Sequence, residues 1–83
     1  MPAKTNVDSE INHRIRRELN RRLCDTSRVQ TRVSYGVIYL TGEIKPMRGM
    51  GRTLKEEVET IKYILGRIPG VREVSDYNLR IID

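Results

Sequence analysis

Three arginines, Arg14, Arg17 and Arg21, recur at steps of three and four residues. On a helix turning 100° per residue, that spacing keeps them within about 60° of one another. Guanidiniums grouped on one flank suit phosphate, since each cation held near an anionic bilayer contributes about 1 kcal/mol. A second group follows in Lys45-Pro46-Met47-Arg48-Gly49-Met50-Gly51-Arg52, which holds cations, no acid and two flexible thioethers. That mixture matches a surface both negative and partly apolar. The candidate anion-binding residues are therefore Arg14, Arg17, Arg21, Lys45, Arg48 and Arg52. The plainer alternatives are a solvated helix face offset by Glu10 and Glu18, and a solvated loop.

Other reactive residue types lack the company that chemistry needs. His13 has no cysteine or second histidine to complete a metal site, and Cys24 is the sole thiol, so no internal disulfide can form. Ser9, Ser27, Ser34 and Ser75 cannot build a triad around one surface histidine. Glu56, Glu57 and Glu59 crowd a helix start, where negative charge is favoured, and read as capping groups. The glycines follow neither phosphate-loop nor dinucleotide spacing. No catalytic residue, metal or cofactor is expected. Arg22 projects near the middle of an apolar arc, so its stem must snorkel or its guanidinium must pair with an acid.

Eighty-three residues suffice for one domain. Leu, Ile and Val make up 22 of them, with no Trp or Phe, so the core must be aliphatic. The net charge of +5 is unevenly placed: residues 1 to 52 carry eleven Lys/Arg against five Asp/Glu, and residues 53 to 83 carry five against six. The basic half faces acidic partners. No apolar run reaches the length of a membrane span, and Met1–Glu10 lacks the apolar stretch of a secretory signal. The chain is expected in the cytoplasm if it is full length, and in the periplasm if a signal peptide has been removed.

These side chains must be positioned by a short series of elements. Residues 1 to 7 read as a flexible N-terminus. Val7, Ile11, Ile15, Leu19 and Leu23 then predict an amphipathic helix over residues 8 to 23, capped by Asp8 or Ser9 and closed by Arg21 and Arg22. Val29, Thr31, Val33 and Tyr35 alternate with Gln30, Arg32 and Ser34, and a second alternation sets Ile38, Leu40, Gly42 and Ile44 opposite Val37, Tyr39, Thr41 and Glu43. The two runs read as a hairpin turning near Ser34–Gly36. Residues 45 to 52 form a loop, and Thr53 with Glu56 forms a capping box. Leu54, Val58, Ile61, Leu65 and Ile68 line a second helix that stops at Pro69-Gly70. Val71, Val74, Leu79 and Ile81 supply a last strand, and the odd step from Val74 to Leu79 predicts a bulge near Ser75–Asn78. Gly42 is expected where a helix backbone approaches closely. The fold class is α+β, a single αββαβ domain with two helices on one face of a three-stranded sheet and the second helix as a crossover. Val37 and Tyr39 are expected on the uncovered face, together with Val29 and Val33 or their neighbours.

The stretch Tyr35-Gly36-Val37-Ile38-Tyr39-Leu40-Thr41-Gly42-Glu43-Ile44 resembles the strand-turn-strand pattern of the BON domain, named for bacterial osmotically induced periplasmic and nodulation-associated proteins. Ile68-Pro69-Gly70-Val71-Arg72-Glu73-Val74 is similar to that family's Gly-Val-x-x-Val block. The motif residues are Gly36, Leu40, Gly42, Gly70, Val71 and Val74, and the resemblance covers residues 8 to 83. Two departures stand out: the segment from Gly42 to Gly70 is longer than in the family by about the length of the basic loop, and Asp76 stands where the family has Asn. The resemblance implies a non-enzymatic module of bacterial envelope proteins that associates peripherally with anionic phospholipid or with envelope protein partners. Two alternatives remain. The pI and an element order superficially similar to KH-like folds suggest nucleic-acid binding, although Gly49-Met50-Gly51 is not a Gly-x-x-Gly clamp. Open sheet edges suggest a protein-interaction module or a homo-oligomer.

Overall fold

A computed structural model describes residues 3–49 and 51–82. The order is α1 (Ala3–Asn20), β1 (Val29–Ser34), β2 (Val37–Ile44), α2 (Leu54–Gly66) and β3 (Glu73–Ile81). It is a single α+β domain in which two helices pack against a three-stranded mixed sheet, as expected. The sheet runs β1-β2-β3, with β1 antiparallel and β3 parallel to β2.

The hairpin turns on Tyr35 and Gly36, with φ of 51° and 81°. Positive φ at both central residues is the mirror-image turn whose twist matches the strands it joins. Tyr35, expected as the end of the strand, thus belongs to the turn. Across the hairpin Val29, Thr31 and Val33 oppose Gly42, Leu40 and Ile38. Those residues face the helices, with Ile38, Leu40 and Ile44 fully buried at the centre. Gly42, at φ 92°, differs from expectation: a Cβ there would collide with the Arg28 carbonyl oxygen, so the close approach comes from the chain leading into β1 and not from a helix.

Helix α1 starts at Ala3 and ends at Asn20, so both ends differ from the predicted 8 to 23, and Asp8 and Ser9 lie within it. Ile11, Ile15 and Leu19 are buried as expected; the side chain of Val7 lies outside the described residues. Side chains four residues apart drift by 40° per step, so a row that continues to Leu23 walks off the buried face. The chain leaves the helix instead. The Arg21 and Arg22 amides bond to the Glu18 and Leu19 carbonyls at 3.2 and 3.1 Å, and the Thr26 hydroxyl donates to Leu19 O at 3.3 Å. Cys24 then takes the buried place, and Leu23 is 56% exposed.

Helix α2 follows its predicted cap. Thr53 Oγ1 accepts from the Glu56 amide at 3.1 Å, and Glu56 Oε1 accepts from the Thr53 amide at 3.0 Å. Leu54, Val58, Ile61 and Leu65 are buried, with Ile68 just past the helix. In β3 the register against β2 shifts between Tyr39 and Thr41, where Asp76 and Tyr77 together stand against Leu40. The predicted bulge is therefore present. Val71, expected within this strand, precedes it; Val71 and Val74 pack half-buried against the core, and Gly70 at φ 93° turns the chain toward them.

Candidate functional site

The candidate cations fall into three places. Arg14 lines a groove between the helices together with Glu18, Ile64, Arg67 and Ile68. Arg17 is exposed in the last turn of α1. Arg21 lies just beyond the helix, 3.7 Å from Glu18 across open solvent. Among the described residues no carboxylate stands within ion-pair distance of Arg14 or Arg17. Arg67 was not singled out in the sequence, although its place between Ile64 and Ile68 on the apolar side of α2 sets a second guanidinium beside Arg14. Its guanidinium also donates to Tyr63 Oη at 2.8 Å.

The loop cations separate in role. Lys45 is held by its backbone: Asp25 N donates to Lys45 O at 2.8 Å and Lys45 N to Asp25 O at 3.2 Å. Arg48 is exposed in the loop. Met47 is 52% exposed, while Met50 lies outside the described residues. Arg52 turns inward. Its guanidinium donates to Glu57 Oε1 at 3.2 Å, to Thr60 Oγ1 at 2.8 Å and to the Glu56 carbonyl at 3.3 Å.

Glu57 is the residue whose role differs most from the sequence reading. Glu56 does the capping; Glu57 is fully buried, and its second oxygen accepts from Arg22 Nε at 2.7 Å. Arg22, expected to snorkel or pair, does pair. Two guanidiniums from separate segments thus meet one desolvated carboxylate, the condition under which a buried charge is tolerated. A signal was present: Glu57 falls three residues after Leu54 and four before Ile61, on the edge of the apolar stripe. Beside it, burial pushes the Cys24 thiol above its ordinary pKa, reinforced by the Glu57 charge and opposed by Arg22.

The uncovered sheet face carries Gln30, Arg32, Tyr39, Thr41 and Asn78 around a shallow depression. Arg32 lies over the Tyr39 ring at 4.9 Å. Glu43 there is shared by Arg28 and Arg80, at 3.8 and 3.6 Å. Among the described residues no three His, Cys, Asp or Glu side chains are grouped to hold a metal, and no helix is long and apolar enough to cross a membrane. Comparison with protein-family models, characterised proteins and solved structures finds no match.

Proposed function

We propose that this chain is a non-catalytic module, similar to BON domains, that attaches peripherally to anionic phospholipid surfaces. The observation that carries the reading is the difference between its cations. Arg21, Arg22, Arg28, Arg52, Lys62 and Arg80 sit against carboxylates, whereas Arg14, Arg17 and Arg48 are among the cations with none within reach among the described residues. Unmatched guanidiniums on one helix flank and one loop are the groups that gain most from lipid phosphate. Arg52 serves the surface indirectly, by holding the base of the loop.

Co-sedimentation with vesicles tests the reading. Phosphatidylglycerol or cardiolipin vesicles should pellet the protein at low salt, neutral phosphatidylcholine vesicles should not, and pelleting should fall as salt shortens the screening length. Replacing Arg14 and Arg17 by Gln should reduce pelleting several-fold with little change in thermal stability. Equal, negligible pelleting on all vesicles would overturn the proposal.

A further inference from the structure

Of the large exposed side chains that are apolar and not aromatic, Leu23, Met47 and Ile81, two stand close together. Leu23 and Met47 are both more than half exposed. Each stands two residues beyond the backbone-paired residues Asp25 and Lys45, one on each of the two paired segments. The bridge is isolated, and its two backbone hydrogen bonds bring the segments together at that one point, with Leu23 and Met47 each two residues from it. Leu23 and Met47 therefore share one end of the molecule, the end where α1 finishes and α2 begins. Arg21 and Arg48 flank them in sequence by two residues and one.

That end is also held in shape. Lys45 is fixed by its pairing with Asp25, and Arg52 is tied to Glu57, Thr60 and the Glu56 carbonyl. Arg22, next to Leu23, is tied to the same Glu57. A single buried carboxylate thus anchors both segments that carry an exposed apolar side chain. Elsewhere a folded domain of this size would lose free energy by leaving such side chains in water; here the backbone holds them outward between cations.

We propose that this end enters the bilayer interface, Leu23 and Met47 reaching the boundary between headgroups and acyl chains while Arg21 and Arg48 meet lipid phosphates. The inference rests on the lipid-surface reading above and deepens it, setting the molecule end-on to the membrane. Charge complementarity selects an anionic bilayer as the occupant: among the described residues Arg48 has no carboxylate within reach, and Arg21 has only Glu18, at 3.7 Å on the surface. Glu57 acts as a positioning residue for both segments.

The chain has no tryptophan, so a single introduced one reports its own surroundings. Leu23→Trp and Met47→Trp replace exposed side chains, and Tyr63→Trp places the same probe on the outer face of α2. With phosphatidylglycerol vesicles, emission from positions 23 and 47 should shift to the blue and be quenched by brominated acyl chains, while that from position 63 should do neither. Replacing Leu23 and Met47 together by Asn should lower pelleting several-fold at unchanged thermal stability. If the protein pellets with these vesicles yet positions 23 and 47 stay unshifted, end-on insertion is wrong and the surface reading survives. If it does not pellet, both are wrong.

Discussion

At the scale of single residues the Glu57 carboxylate is the point of greatest leverage. Its two oxygens accept from Arg22 and Arg52, but the two partners are not equal. The Arg22 side chain is 18% exposed and that of Arg52 40%. Removing the acid leaves a largely buried guanidinium unmatched, so Glu57→Ala should cost about 3–5 kcal/mol. Arg52→Ala removes a more solvated partner but leaves Glu57 Oε1 buried without it, and should cost about 1–3 kcal/mol. Urea denaturation followed by circular dichroism measures both; equal costs would show that Arg52, and not the less exposed Arg22, carries the coupling to the carboxylate. Half of this arrangement was legible in advance. Arg22 sits near the middle of an apolar arc and had either to snorkel or to pair with an acid, whereas Glu57 had a sufficient explanation in the helix dipole, which hid its inward direction.

Elements were legible in proportion to how strongly their ends are marked. Helix α2 has a capping box at one end, which the structure follows, and Pro-Gly at the other, ahead of which the helix already stops at Gly66. Thr53→Ala should cost about 1 kcal/mol at neutral pH. Hydrogen bonds from the Thr53 amide and hydroxyl hold the Glu56 carboxyl below its ordinary pKa. A depressed folded-state value means stability that is present above the unfolded pKa and lost as pH falls through the folded one. The gap between wild type and Thr53→Ala in thermal denaturation should therefore narrow under acid. A gap independent of pH would mean that Glu56 takes no part in the cap. Helix α1 had weaker marks, Asp8 or Ser9 at its start and Arg21 and Arg22 at its end, and it begins before the first pair and stops before the second, so its limits escaped the pattern at both ends. The bulge in β3 was readable because alternation cannot absorb the odd step from Val74 to Leu79 without an extra residue.

For the whole molecule, the sequence divides the basic residues into a helix and a loop without saying how they lie in space. Only the topology places the end of α1, the loop after β2 and the start of α2 together, because β1 runs antiparallel to β2 and α2 carries the chain back to a parallel β3. The outward turn of Leu23 was missed because the four-residue row counts it as buried, although the 40° drift at each step carries it off that face. The same junction contains Cys24, 2% exposed and the chain's one thiol. Alkylating reagents attack the thiolate, and here the thiolate is both shielded from reagent and disfavoured. The protein consequently has a clock of its own: iodoacetamide should label Cys24 no faster than the junction opens, and Glu57→Gln should speed that labelling far more than Arg14→Gln. A native rate equal to that of the urea-unfolded chain would show the junction to be open already. Read with and without anionic vesicles, the same clock measures whether a membrane tightens this end of the molecule or loosens it, with no label added to the protein beforehand.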